Sequence, residues 1–376
     1  MRILHYISHV RRDDLLSQYL SVLTTAQENL GAEVAIATKR NDVEEKIGQF
    51  HPHIVHVHTL WSLQAADVVR VAKQKKCGVI ISPHGQLDAF RSRNERRGWK
   101  KIVTLLFQRR MIRRADALIA ATQQEAERLE KQAWNDHIDT IGNALLASRI
   151  SQKDMAVRSL RLYQKVIDTR YAAYLTKEDR EAVGSLLHAA IDATPTATLP
   201  ENRLTHLRTL DAKSWRRICL WADDEDVMPL ILQATQQLAI EAPVRDIDPT
   251  TIDRFPLRHP KRKGKLPDNE LLHAGDSLKD KWQEVLKDES EPLRQVVTLL
   301  LNARKLSRRK ELSLRHVCDL YQAIKFLDYD EDQLKALLTR FSAVRFSRKV
   351  VGLLGKKLLL EEGFMPLPPK RTHKII

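Results

Sequence analysis

What most constrains this chain is a pattern that runs from Met1 to about Asn143 and then stops: short apolar runs of β type alternate with amphipathic helical stretches. That alternation is the mark of a parallel sheet, because parallel neighbours need a crossover, usually a helix, between them. The spacing predicts strands at Ile3–Ile7, Val34–Thr38, Ile54–Val57, Val79–Ser82, Ala117–Ala121 and Ile138–Ile141. Helices fall between them, near Leu15–Leu30, Val43–Gln49, Leu63–Lys75, Trp99–Arg113 and Gln123–Gln132. Right-handed crossovers then give a doubly wound sheet, whose ligands sit beyond the carboxyl ends of the strands. The loops after Ile7, Val57, Ser82 and Ala121 are therefore the places to look for chemistry.

After Asn143 strand-type runs almost vanish and amphipathic helices take over. Thr176 with Asp179 reads as a capping box, and Asp330 with Gln333 plays the same part before Leu334, Leu337, Leu338 and Phe341 at helical spacing. Leu314, Val317, Tyr321 and Ile324 form another stripe, read as helix-bundle core. Pro243, Pro249, Pro256, Pro260 and Pro267 break the pattern. The expected fold is thus α/β followed by α: a sheet domain over residues 1–148, a helical region over 149–241, a Pro-rich linker or long loop over 242–275 and a helical region over 276–376.

Glycine narrows the function. The chain holds 12 glycines in 376 residues, too few to scatter phosphate-cradling loops, and neither G-x-G-x-x-G nor the P-loop string occurs. Standard dinucleotide dehydrogenases and P-loop ATPases are disfavoured on that ground. Lys and Arg number 63 against 48 Asp and Glu, a formal charge of +15, which suits polyanionic partners without choosing among nucleic acid, an anionic leaflet and phosphorylated substrates. Cys77, Cys219 and Cys318 are odd in number and have no C-x-x-C neighbour, so neither a disulfide framework nor a zinc knuckle is suggested. No signal-type run opens the chain and no apolar run approaches the ~18 residues of a membrane span. The expectation is a cytoplasmic protein whose membrane contact, if any, is peripheral at the inner leaflet.

His51, His53, His56 and His58 crowd one segment, with His56 and His58 on one face of a strand. No Cys, Asp or Glu lies in that segment to complete a tetrahedral zinc site, so no metal is assigned. His58, Thr59 and Trp61 fall where the third strand opens into its helix; Trp61 either stacks on a ligand ring or packs under the loop. His84 follows the fourth strand and a proline, with Gly85 permitting a tight turn, and Asp88 stands close enough to orient it; the bland alternative is that His84 and Asp88 brace the loop. Between Arg91 and Arg114 a basic strip includes Arg96, Arg97, Lys100, Lys101, Arg109 and Arg110, with Trp99, Ile102, Val103 and Leu106 as its apolar stripe. Such a helix can lie on an anionic surface, or turn its stripe to the core with a solvated basic back, and both can hold at once.

Four segments carry a family resemblance: Arg2-Ile3-Leu4-His5-Tyr6-Ile7, His53-Ile54-Val55-His56-Val57-His58, Ser82-Pro83-His84-Gly85-Gln86-Leu87-Asp88, and Arg114-Ala115-Asp116-Ala117-Leu118-Ile119-Ala120-Ala121-Thr122 with Glu125. In order and spacing, through Ile141-Gly142-Asn143, this half resembles the N-terminal, acceptor-side domain of family-four GT-B glycosyltransferases. The resemblance implies a Rossmann-like domain, a nucleotide-sugar as donor substrate, no required cofactor, a glycan or lipid-linked acceptor, and a histidine at position 84 near the reacting sugar. His84 and Asp88 become the candidate catalytic pair, with His58, Thr59, Trp61 and Gly85 as candidate substrate contacts.

Two departures stand beside the likeness. The first loop, Ser8 to Asp13, lacks the family's glycine pair, and residues 144–376 show no recognisable donor half. A fainter likeness, over Glu311 to Lys357, is to the helical tail of uncharacterised polysaccharide-cluster nucleotidyltransferases; their paired metal-binding Asp would have to be Asp246 and Asp248, without the Gly-Ser turn those enzymes carry. Three functions are therefore carried forward: a glycosyltransferase-like protein of bacterial surface-polysaccharide assembly, a noncatalytic scaffold for a protein partner of the same pathway, and a basic helical nucleic-acid binder. Charge is the sole argument for the last, since few aromatics interleave with the basic runs.

Overall fold

The computed structural model describes residues 1–8, 14–86, 99–146, 149–192, 199–241, 247–257 and 259–370, and of residues 99–105 the backbone alone. They form two compact units, Met1–Ala173 with Asp253–Pro256, and Tyr174–Ile252 with Leu257–Ile376.

In the first unit the chain runs β1 (Arg2–Tyr6), α1 (Leu15–Asn29), β2 (Glu33–Ala37), α2 (Arg40–Phe50), β3 (Ile54–Val57), α3 (Leu63–Gln74), β4 (Gly78–Ile81), α4 (Trp99–Arg114), β5 (Ala117–Ala120), α5 (Gln123–Gln132), β6 (Ile138–Thr140) and α6 (Gln152–Thr169). The six strands form one sheet in the order β2-β1-β3-β4-β5-β6, and every pairing is parallel. This is the expected Rossmann-like α/β architecture. The chain steps from β1 outward to β2 and then crosses back to β3, so the direction of winding reverses between β1 and β3. At such a point the flanking loops diverge and leave a crevice at the carboxyl ends of the strands.

Strands covered on both faces read as continuous apolar runs rather than alternations, which is why Ile54–Val57 and Gly78–Ile81 are fully buried. One face of the sheet (Leu4, Val55, Val57, Ile81) packs on α2, α3, α4 and α5. The other (Ile3, Ile54, Ile80, Ile119) packs on Tyr19 and Leu23 of α1 and on Met155, Leu162 and Val166 of α6. Pattern alone places Gln152–Thr169 with the helices that follow; in the structure it closes the second face of the sheet. The segment Asp253–Pro256 also belongs here: Phe255 stacks on His137 with ring centroids 3.9 Å apart, and its N–H donates to Thr169 Oγ1 at 2.9 Å. Ser62 and Thr122 cap α3 and α5 by accepting from the N–H groups of Ala65 and Glu125, so both helices start almost as soon as their strands end.

A single turn, Tyr171–Tyr174, leads into the second unit, which is helical: α7 (Lys177–Ile191), α8 (Glu201–Arg208), α9 (Ala212–Asp224), α10 (Met228–Gln237), α11 (Asp276–Leu286), α12 (Glu291–Arg309), α13 (Leu314–Phe326), α14 (Glu331–Arg340) and α15 (Val344–Leu358). The Thr176–Asp179 capping box forms, and Asp330 caps α14 by accepting from Gln333 N–H. Leu314, Val317, Tyr321 and Ile324 are buried in the core with Trp215, as are Leu334, Leu337, Leu338 and Phe341. Lys325 is buried too, its ammonium 2.8 Å from Asp192 and 3.0 Å from Glu361, and burial with two carboxylate partners is what makes such a cation tolerable. Among the described residues every strand lies in the first unit.

Helices α7 and α15 approach through a glycine. A Cβ built on Gly184 would press on the main-chain carbonyl of Lys357, which backbone cannot yield as a flexible side chain would. Gly184→Ala is expected to cost about 1–3 kcal/mol, read as a lower urea midpoint for loss of helical circular dichroism. Gly363→Ala, whose Cβ meets nothing within 4 Å, should leave that midpoint in place.

Candidate functional site

The switch point puts β1, β3 and β4 side by side, with His5 of β1 directly paired in register with His56 of β3. Because side chains alternate across a strand, His5, His56 and His58 all face the α1–α6 side. All three are completely buried. A buried polar group is costly unless hydrogen-bonded, and each ring nitrogen here has a protein partner. His5 Nε2 meets Gln27 Oε1 at 2.9 Å and His5 Nδ1 meets His58 Nε2 at 2.9 Å. His58 Nδ1 meets His84 Nε2 at 3.1 Å. His56 Nδ1 meets the Tyr163 hydroxyl at 2.6 Å and His56 Nε2 meets Ser82 Oγ at 2.7 Å. Gln27 comes from α1 and Tyr163 from α6, so both helices on this face reach down into the sheet.

His84 lies where this interior network meets the loop after β4. It is half-buried, stacks on His58 at a centroid distance of 5.4 Å, and takes the edge of Tyr19 at 5.1 Å. Its φ of 50° and that of Gly85, 73°, are left-handed, a conformation glycine adopts freely and histidine at a cost. Glu125 holds the turn. One carboxylate oxygen accepts from Gly85 N–H at 2.7 Å and the other from Ala121 N–H at 2.7 Å, which ties the loop after β4 to the loop after β5. Thr59 performs the matching task at the switch point, accepting from Ser8 N–H at 2.9 Å. Trp61 is half-buried against the core beneath these loops; its indole N–H donates to the Gln86 carbonyl at 3.0 Å and its main-chain N–H to Gln108 Oε1 at 3.1 Å.

The structure thus gathers His58, Thr59, Trp61, His84 and Gly85 at the carboxyl ends of β3 and β4. Asp88, Arg96 and Arg97 lie outside the described residues, as do the side chains of Lys100 and Lys101. Arg109 and Arg110 are exposed on α4, whose core-facing positions among the described side chains are Gln108, Met111 and Ile112; Leu106, from the stripe read in the sequence, is 59% exposed. Asp248 accepts from Thr250 N–H at 2.9 Å in a local turn, and Asp246 is outside the described residues. His5, Gln27, Glu125, Ser159 and Tyr163 are members of the site that sequence reasoning left without a role. The available signal was a histidine inside an apolar strand, at a position that alternation assigns to the core.

The rings are neutral. Burial pulls His84 down to about 4 and His5 to about 4, in His5 against the opposing pull of the Gln27 hydrogen bond. Burial carries His56 and His58 well below the ordinary imidazole range, and the neighbouring rings push them further. Among the described residues His5, His56 and His58 are the group whose ligand atoms, all within 4.8 Å of one another, could gather round a metal ion. A metal there would have to displace hydrogen bonds that occupy every one of those nitrogens.

Residues 40–144 match the family model of the glycosyl transferase 4-like domain. Over that segment the first unit is similar to a glycosyl transferase 4-like domain. Comparisons with curated proteins and with solved structures return no match. The match runs from α2 through β6 and takes in His56, His58, His84 and Glu125 of the glycosyl transferase 4-like domain. It leaves β1 with His5, α1 with Gln27, α6 with Tyr163, and the helical unit outside.

A histidine whose folded pKa lies below its unfolded value of about 6.5 takes up a proton on unfolding, so its stabilising contribution is whole above that pH and is lost as the pH falls toward 4. With several such rings, the pH dependence of the urea midpoint between pH 6.5 and 4 is expected to report uptake of more than one proton per chain on unfolding, and a smaller uptake in His84→Ala.

Proposed function

We propose that this glycosyltransferase-like protein serves bacterial surface-polysaccharide assembly, transferring or helping transfer a sugar from a nucleotide-sugar to a glycan or lipid-linked acceptor. The observation that carries this is the convergence of the matched segments at the carboxyl ends of β3 and β4: His58 and His84 are held ring to ring there, and Glu125 fixes the Gly85 turn beside them. A neutral imidazole at the mouth of a crevice suits a sugar hydroxyl, which it can orient and from which it can accept a hydrogen bond near neutral pH. The nucleotide-sugar enters as a substrate, and no cofactor is invoked.

Calorimetric titration of the full chain with UDP, GDP and ADP tests the donor side. Binding of at least one is expected, and silence across all three would remove the version in which this chain holds the donor. Where turnover of a nucleotide-sugar is found, His84→Ala is expected to lower it about 10²-fold.

A second reading is favoured by the placement of every described strand in the first unit: the domain acts as a noncatalytic scaffold, and the helical unit docks a protein of the same pathway. A monodisperse monomer that turns over nucleotide-sugar without a partner would refute it. Exposed Arg109 and Arg110, beside exposed Leu106, support contact with an anionic leaflet. Arg109→Glu combined with Arg110→Glu should weaken sedimentation with phosphatidylserine vesicles at low salt by about 1 kcal/mol for each basic group removed.

A further inference from the structure

The hydrogen bonds running inward from His84 have a direction, and it is set at their far end. The Ser159 hydroxyl lies 2.9 Å from the Ala156 carbonyl. A carbonyl only accepts, so Ser159 donates there and its oxygen is left to accept. Gln27 Nε2 is 3.0 Å from that oxygen and 3.3 Å from the Tyr163 hydroxyl, which spends both amide protons on α6. A flipped Gln27 would instead set its carbonyl oxygen against a Ser159 oxygen whose proton is already given away. The amide orientation follows from the network in this way, and it presents Oε1 to His5.

From there each ring dictates the next. His5 must carry its proton on Nε2 to donate to Gln27 Oε1, at 2.9 Å, and as a neutral ring it then has a bare Nδ1. That nitrogen accepts from His58 Nε2–H at 2.9 Å, which leaves His58 Nδ1 bare in turn. His58 Nδ1 accepts from His84 Nε2–H at 3.1 Å. His84 Nδ1 is the end of the line, and no described residue occupies it. A parallel branch has the same sense: Tyr163 accepts from Gln27, donates to His56 Nδ1 at 2.6 Å, and His56 Nε2–H donates to Ser82 Oγ at 2.7 Å, two residues before His84.

We propose that Gln27, His5 and His58 are positioning residues that form a one-way relay of hydrogen bonds, fixing His84 as the Nε2–H tautomer and leaving its Nδ1 a bare acceptor at the carboxyl end of the sheet. Resting on the sugar-site reading above, this gives the crevice a chemical preference. The bare nitrogen accepts from a neutral O–H and has no proton to offer a phosphate oxygen, so it selects the hydroxyl-bearing part of a ligand over its anionic part. Two of the three relay residues, His5 and Gln27, lie outside the matched family segment.

The test is long-range ¹⁵N–¹H correlation of the imidazoles in the full ¹⁵N-labelled chain at neutral pH, with His84→Ala used to assign its signals. The expected result is a single His84 tautomer, protonated at Nε2 and bare at Nδ1. Gln27→Leu removes the acceptor that sets the direction, and His84 should then show a mixture with Nδ1–H. Should that variant not fold, His58→Phe cuts the line one ring from its end and should give the same mixture. A wild-type His84 protonated at Nδ1, or a folded Gln27→Leu or His58→Phe protein that keeps the single Nε2–H tautomer, would overturn the proposal. The tautomer is read without any ligand, so its failure is distinct from a failure of the nucleotide titrations.

Discussion

Everything at the functional end of the first unit depends on placing three imidazoles inside a sheet that is otherwise apolar. Parallel strands sandwiched between helices offer no water to a buried ring, and a polar group there is tolerated only when its hydrogen-bonding capacity is filled. The protein fills it completely. His5, His56 and His58 have a partner at each nitrogen, and those partners come from α1, α6 and the loop after β4. The same bonds therefore hold two helices on the sheet and a loop at the sheet's edge, so that packing and site geometry are one construction.

Around this interior the loops are braced by single residues that each join two of them. Glu125 takes one N–H from the loop after β4 and one from the end of β5, and Gln86 joins the loop after β4 to the loop after β3 through Leu60 and Trp61. Loops at a switch point diverge by construction, and without such ties they would be free to do so further. The left-handed residues Trp61, His84 and Gly85 sit within this braced region, where surrounding bonds can hold a conformation that costs energy locally.

The strands were legible because a strand buried on both faces announces itself as a short apolar run, and the six observed ones fall within a residue or so of the runs in the sequence. The segments carrying His58, His84 and Glu125 were legible by resemblance. Gln27, Ser159 and Tyr163 were not, since Tyr163 reaches His56 across 107 residues and Gln27 reaches Ser159 and Tyr163 across 132 and 136, and helical periodicity says which face of a helix is apolar without saying which polar side chain will meet a ring. Gln152–Thr169 was hidden for a related reason: an amphipathic stripe is the same whether it packs on a sheet or on other helices. The capping boxes and stripes of the helical unit, by contrast, rest on spacings of three and four residues, and these the sequence shows directly.

The short return of Asp253–Pro256 to the first unit bears on how the protein is made. A ribosome delivers β1 through α6 well before it delivers Phe255, and Tyr174–Ile252 comes in between. Until then the His137 ring lacks the aromatic neighbour that covers it, and Thr169 lacks the N–H it will accept. The sheet domain is thus an interrupted stretch of polypeptide, finished only after much of the following unit has emerged, and its last piece arrives from the sequence of its successor.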